Sequence, residues 1–320
     1  MNRSKNIIIM KKILTIYTKY MAIWVAIGGV IAYFYPKIFL SLRGGMDIFF
    51  ALTMLGIGCV LNIEDFKQIA KQPQIVVIGS VMQFTLMPLG AFVIVKALNL
   101  PPEIALGLIL TASAPGAMAS NVMCYVGKAD VAYSVSLTTV STLLTPIMTP
   151  MLTYLLAHSI LKVDFLGMFF SILKMVIVPL LLGLFLKYKF SKTVEKIEPI
   201  FPAISVTFII FICSLVIALN KEFLVMLTLM VFFGVILLNI WGMTSGYSIA
   251  KMLGMNILRR RTLAIEIGMQ NAGLGTVLAL KHFNEQVAIP AACFVFVCIF
   301  TAAIMAEMWT RKDNVLKYNI

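Results

Sequence analysis

The sequence predicts an all-α polytopic membrane protein, ten transmembrane helices arranged as two inverted five-helix repeats. Three observations carry that expectation. Apolar residues make up 61% of the chain and charged residues 12%, with a mean hydropathy of +1.00, whereas soluble domains carry about twice that share of charge. The apolar residues gather into ten runs, each near the ~20 helical residues that cross a hydrocarbon core. The basic residues are distributed unevenly between alternate loops.

The runs lie near 16–35, 46–63, 74–98, 103–126, 131–157, 164–187, 200–219, 223–249, 262–283 and 286–309. Backbone groups in lipid must be satisfied within their own segment, and none of the runs has the short alternating pattern of a membrane barrel, so the spans are read as helices. With an even number of spans, nineteen Lys and Arg fall on the amino-terminal side, among them Lys187 to Lys196 and Arg259 to Arg261, against six opposite: Lys37, Arg43, Lys96, Lys162, Lys221 and Lys281. That bias places both termini of a multi-pass inner-membrane protein in the cytoplasm. It also accounts for the net charge of +13 without a nucleic-acid partner. The first run is expected to be a retained helix, because no small-residue cleavage site follows it.

The five cysteines fall inside runs without metal-ligand spacing and are expected to be free thiols. His158 and His282 lie near outer loops, which argues against a histidine metal site or proton relay.

Five spans per half, 1–160 and 161–320, is an odd number, so the second half enters the membrane from the opposite side, as in many secondary transporters. The fourth span carries Ala114-Pro115-Gly116-Ala117-Met118-Ala119-Ser120-Asn121, and the ninth carries Gly268-Met269-Gln270-Asn271-Ala272-Gly273-Leu274-Gly275. Either could be a simple kink, since Pro and Gly are common in membrane helices. Their matching positions point instead to two broken helices, 4 and 9, at a midplane binding site.

Twelve of the thirteen acids sit in loops or near span ends, and Glu266 is the exception, immediately before the second break. Its burial is costly and marks a functional position by default. Two readings are open, a glutamate that snorkels to pair with Arg259, Arg260 or Arg261, and a cation ligand beside Gln270, Asn271 and the carbonyls freed by the break. A hard cation such as sodium takes oxygen ligands. Ser120 and Asn121 close the first break, and Ser134 and Thr138 share a face of the fifth span among further hydroxyls that are expected mostly to bond their own helix. Gln83, five residues before Pro88, has the same two readings. Lys174, within the sixth span, is either a snorkelling lysine or a cation that attracts a substrate carboxylate. Helix amino termini at the breaks, with the amides of Asn271 and Gly273, could cradle a carboxylate too.

The stretch Pro115 to Asn121 with Ser134 and Thr138, the segment Glu266 to Leu274, and Leu61-Asn62-Ile63-Glu64-Asp65-Phe66 together resemble the bile acid:sodium symporter family over nearly the whole chain. The resemblance implies that helices 4 and 9 cross near the midplane inside a core domain (helices 3–5 and 8–10), with a panel domain (helices 1, 2, 6 and 7) that rocks against it. It implies one sodium site at Ser120, Asn121, Ser134, Thr138 and Glu266. A second would use Gln83, Glu266, Gln270 and the carbonyls of Ile267 and Met269, with Glu266 bridging the two. Substrate contacts are expected at Asn271, Met118, Gly273, Thr301 and Lys174. The chain departs from close bacterial bile-acid carriers at Met118, where Thr is usual, and at Phe300 and Thr301, where a His-Asn pair is usual, so the cargo is less defined than the ions.

The implied activity is sodium symport of a small organic anion by alternating access, with no cofactor and sodium as the only metal. The alternative is a proton-coupled carrier or exporter of the same fold. A channel would need a continuous polar lining. An enzyme would need a paired nucleophile and base or a metal cluster, and Glu266 has no acid partner in a span.

Overall fold

The computed structural model describes residues 13–14, 16–18, 20–61, 64, 67, 70–222 and 224–318. The amino-terminal basic residues Arg3 to Lys12 and most of the Leu61 to Phe66 motif lie outside them. The described chain is helical, without a strand. In order the helices are α1 (Met21–Phe34), α2 (Pro36–Leu40), α3 (Met46–Val60), α4 (Pro73–Leu98), α5 (Pro102–Ala112), α6 (Ala119–Val126), α7 (Val131–Ala157), α8 (Phe165–Ile172), α9 (Val178–Lys189), α10 (Ser191–Ile197), α11 (Phe201–Leu219), α12 (Leu224–Met252), α13 (Ile257–Gly268), α14 (Ala272–His282) and α15 (Ile289–Tyr318).

Seven helical stretches among the described residues are long and apolar enough to cross a membrane: 36–60, 73–98, 131–157, 165–189, 191–219, 229–252 and 286–311. The first expected run appears as the shorter α1, and the fourth and ninth are each divided in two. Large apolar side chains cover the exterior, with Val93, Leu155, Phe185, Leu229 and Phe300 all more than half exposed. Such a surface suits lipid as its solvent.

Local chemistry sets the helix ends. Asp130 accepts from the Tyr133 N–H at 3.1 Å and opens α7 at Val131. Asn256 accepts from the Arg259 N–H at 3.0 Å, so α13 begins at Ile257, before the expected 262, and takes in the arginine cluster. At the other end of the chain α15 runs past the expected 309 to Tyr318, where the Glu307–Arg311 pair at 2.7 Å has the i, i+4 order that supports a helix in water.

The chain divides into two units, each of which draws on both halves of the sequence. The first takes the described residues of 1–62 and 170–224. Within it, α3 and α11 meet through Phe50–Phe208 and Phe49–Phe211 ring contacts at 5.2 and 5.4 Å, and Lys187 donates to the Val60 carbonyl at 3.0 Å, satisfying an acceptor at the end of α3.

The second unit takes the described residues of 63–169 and 225–320. In it α12 lies against α13 through Gly242 and Gly246, four residues apart. A methyl group at Gly246 would stand 2.6 Å from the Leu263 carbonyl oxygen, a backbone atom that can yield only by moving α13. Gly246→Ala is therefore expected to lower the stability of the detergent-purified protein by about 1–3 kcal/mol. Gly234→Ala, on the same helix with its nearest neighbour at 3.7 Å, is expected to leave stability unchanged or raise it by up to about 1 kcal/mol. Thermal melts of the two variants side by side make the check.

Candidate functional site

Two interrupted helices of the second unit meet at their interruptions. Between α5 and α6 residues 113–118 leave helical geometry, as do residues 269–271 between α13 and α14. The Ala117 N–H donates to the Met269 carbonyl at 2.9 Å and the Asn271 N–H donates to the Pro115 carbonyl at 2.8 Å, an antiparallel bridge that pairs Gly116 with Gln270. Each break satisfies backbone groups that the other leaves open, which an apolar surrounding would make costly to leave unpaired. Asn239 from α12 donates to the Gly268 carbonyl at 2.8 Å, which closes the last turn of α13. The Asn271 side chain accepts from the Leu274 N–H at 3.1 Å and starts α14.

Glu266 projects from the last turn of α13 into this crossing and is 2% exposed. Its place requires glycine opposite, because a methyl group at Gly116 would stand 2.9 Å from Glu266 Oε2. The Ser120 and Ser134 hydroxyls both reach Glu266 Oε1, and the Thr138 hydroxyl lies 3.0 Å from Oε2 and 3.2 Å from Oε1. Asn121 turns its Oδ1 inward, 2.7 Å from Ser134 Oγ and 3.4 Å from Thr138 Oγ1. The backbone carbonyls of Ala117 and Ser134 add acceptors at 2.6 Å from Ser120 Oγ and 3.0 Å from Thr138 Oγ1. Three hydroxyls, each with a single proton, thus face at least two acceptors apiece. Each of these protons can serve only one acceptor at a time, so oxygen lone pairs in the cage remain open.

Glu266 is not paired with the arginines, which are engaged elsewhere. Arg261 forms a two-pronged pair with Asp313, at 2.7 Å on both arms. It also donates to the Gly127 carbonyl at 3.3 Å and lies 5.5 Å from the Trp309 ring. Arg259 approaches Asp130 at 3.5 Å. Gln83 and Gln270 form a relay beside the carboxylate: Gln83 Nε2 donates to Gln270 Oε1 at 2.8 Å, and Gln270 Nε2 donates to the Ile267 carbonyl at 3.0 Å. The Met269 carbonyl already accepts from Ala117, so that oxygen and Ile267's each keep one lone pair for a further partner.

Known proteins resemble this chain throughout its length. The family model described as the sodium bile acid symporter family matches residues 47–227. The uncharacterized sodium-dependent transporter YocS of Bacillus subtilis (strain 168) is 39% identical over 304 residues, 95% of each chain. The chain belongs to the sodium bile acid symporter family. A probable chloroplastic sodium/metabolite cotransporter, BASS1 of Arabidopsis thaliana, is 37% identical over 292 residues, covering 91% of this chain and 73% of that one. The human sodium/bile acid cotransporter 4 is 27% identical over 255 residues, 77% of this chain and 58% of that one. This family member is a multi-pass membrane transporter, and it is not an enzyme.

Within this symporter-family chain, Ser120, Asn121, Ser134, Thr138 and Glu266 form one cluster, and Gln83, Gln270, Ile267 and Met269 adjoin it. Met118 and Asn271 flank the crossing and are half-buried, and Gly273 is buried in the first turn of α14. Thr301 spends its hydroxyl on its own helix, donating to the Val297 carbonyl at 2.8 Å. Lys174 belongs to the other unit, exposed in a π-helical turn at Leu173–Ile177. Sequence reasoning missed Asn239, although a single amide inside a 29-residue apolar helix was a signal. It also missed the Gly242/Gly246 pair, whose spacing marks a close helix contact.

Proposed function

We propose that this transporter couples the uptake of a small organic anion to sodium by alternating access. The observation that carries the reading is the proton-poor cage of oxygens around the buried Glu266 carboxylate. One sodium ion would be held by Ser120, Asn121, Ser134, Thr138 and Glu266. A second would be held by Gln83, Gln270, the carbonyls of Ile267 and Met269, and Glu266 again. Bound sodium neutralises the carboxylate and fixes the two broken helices at their crossing, so the ions organise the ground on which the substrate lands. The anion would bind beside Asn271, whose Oδ1 is committed to the Leu274 N–H while its Nδ2 donors are available to a carboxylate. The amino terminus of α14 at Gly273 adds its dipole. Met118 and Thr301 would border the anion. The printed names of the relatives, sodium-dependent transporter and sodium/metabolite cotransporter, support the coupling ion. The basic bias of alternate loops supports cytoplasmic termini in a bacterial inner membrane.

The test is the thermal stability of the detergent-purified protein in sodium chloride against choline chloride at fixed ionic strength. A ligand confined to the folded state stabilises by about 2.7 kcal/mol at a hundred times its dissociation constant. A sodium-specific rise is the expected result. Stability that is indifferent to sodium and follows pH would instead assign Glu266 to proton coupling.

A further inference from the structure

Asn239 is the single amide side chain of α12 and is 0% exposed. Its two polar atoms fare differently. Nδ2 donates to the Gly268 carbonyl at 2.8 Å, whereas Oδ1 has no hydrogen-bond partner among the described residues. An unmet acceptor in a buried site costs at least as much as one neutral hydrogen bond contributes, so this side chain is no net source of stability. What its bond does govern is the direction of the Gly268 carbonyl.

In an unbroken helix that carbonyl would accept from the Ala272 N–H, four residues on. Here the Ala272 N–H donates to the Gln270 carbonyl at 2.8 Å, and Asn239 takes its place at the Gly268 oxygen. A side chain inserted into the helical ladder is one of the identifiable causes of a break. Gly242, three residues beyond Asn239 on the same face of α12, lets the amide come this close. A methyl group at Gly242 would stand 3.0 Å from the Ile267 carbonyl oxygen and 3.1 Å from the Gly268 Cα. The bond fixes the peptide plane between Gly268 and Met269, and Met269 continues from it in extended geometry, with φ −115° and ψ 105°. The flanking carbonyls are aimed by that plane, Ile267's toward Gln270 Nε2 at 3.0 Å and Met269's toward the Ala117 N–H at 2.9 Å. α12 reaches α4 as well, where Trp241 Nε1 donates to the Leu86 carbonyl at 2.8 Å, three residues past Gln83. One helix therefore braces both members of the Gln83–Gln270 pair.

We propose that Asn239 is a positioning residue for sodium binding: by occupying the Gly268 carbonyl it keeps α13 from continuing into α14 and holds the Glu266 to Gln270 segment in its ion-binding form. It touches no ion itself. The inference rests on the sodium-coupled reading above and adds a residue from a helix that supplies none of the ligands named there. With an apolar residue in place of Asn239, the Gly268 carbonyl and the Ala272 N–H are left to pair with each other, and the carbonyls of Ile267 and Met269 turn back along the helix axis.

The test is equilibrium binding of radiolabelled sodium to the detergent-purified full-length protein, with choline holding the ionic strength, alongside melting temperatures in choline alone. It compares the parent with Asn239→Leu, Asn239→Ala and Leu238→Ala. Asn239→Leu keeps the volume and loses the donor, so it is expected to bind sodium about tenfold more weakly, the order of one lost hydrogen bond. Its melting temperature in choline should equal or exceed the parent's, since an unmet oxygen has gone. Leu238, also 0% exposed, supplies the packing control. Leu238→Ala should melt at a lower temperature and bind sodium within twofold of the parent. Should Asn239→Leu fail to fold, Asn239→Ala decides, because it removes the amide without adding a branched side chain, and it should show the same tenfold loss. Sodium affinity of the Asn239 variants within twofold of a sodium-binding parent would overturn the proposal alone. An equal loss in Leu238→Ala would do so too, since packing would then account for the effect. A parent that binds no sodium would overturn the sodium-coupled reading, and this inference with it.

Discussion

Glu266→Gln is expected to weaken sodium-dependent stabilisation at least about 100-fold, a loss of about 2.8 kcal/mol in ion binding, and to reduce sodium-driven uptake in membrane vesicles to background. The two side chains have nearly the same shape, so the crossing should assemble. What changes is the count of protons and charge. The carboxylate supplies the one formal negative charge in a cage otherwise built from Ser120, Ser134, Thr138 and Asn121 oxygens. An amide removes that charge and brings two N–H donors of its own, which can satisfy surplus acceptors as a cation would. The variant should therefore be as stable in choline as the parent, or more so, while gaining nothing from sodium. Sodium curves that coincide within about twofold would remove Glu266 from the ion sites.

Breaking the Arg261–Asp313 pair is the second large effect. The Arg261 side chain is 6% exposed and Asp313 is 29% exposed, so removing either partner leaves the other a charge that water only partly solvates. Arg261→Met is expected to destabilise the protein by about 3 kcal/mol, at the low end of the range for a broken buried pair because Asp313 retains some solvent. Asp313→Leu should cost a similar amount. The double variant should cost much less than the two added together, since it leaves no orphan charge. A double-mutant cycle on melting stability isolates that coupling, and additive losses would show that the pair does not act as a unit. Arg261 also holds the Gly127 carbonyl at the end of α6 and faces Trp309 on α15. Its loss should loosen the helices that carry Ser120, Asn121 and Glu266, so the single variants are also expected to show weaker sodium stabilisation.

Much of the helical layout was legible from hydropathy, because in lipid the length of an apolar run is itself the structural signal. The fifth run, read as 131–157, coincides with α7, where Asp130 supplies a capping side chain that is visible in the sequence. The interruptions near Pro115-Gly116 and at 269–271, the latter within the segment read as Gly268 to Gly275, were legible for the same kind of reason, a helix-breaking residue where an apolar helix should continue. Contacts between distant segments were not. Nothing near Arg261 announces Asp313, 52 residues away, and the proximity of the arginines to Glu266 in sequence suggested a pairing that the fold does not make. Arg261 and Glu266 lie about one and a half turns apart on different faces of the same helix, and each finds partners on whichever neighbour its own face reaches. Asn239 was visible as a lone amide in an apolar helix, but its partner, the Gly268 carbonyl 29 residues on, was not.

The pairing of the two breaks has a consequence for how the protein is made. Ser120 and Glu266 are 146 residues apart, so at about 5–20 residues per second the second partner leaves the ribosome on the order of ten seconds after the first. Over that interval the segment around Pro115 to Ala117 has no counterpart, and its bare peptide groups are poorly suited to hydrocarbon. The first half must then wait at a wetter place, at the lipid headgroups or inside the insertion machinery, until α13 and α14 arrive. Assembly of the crossing around Glu266 would be a late event of biogenesis, and a chain stalled before residue 257 would be a natural substrate for membrane quality control.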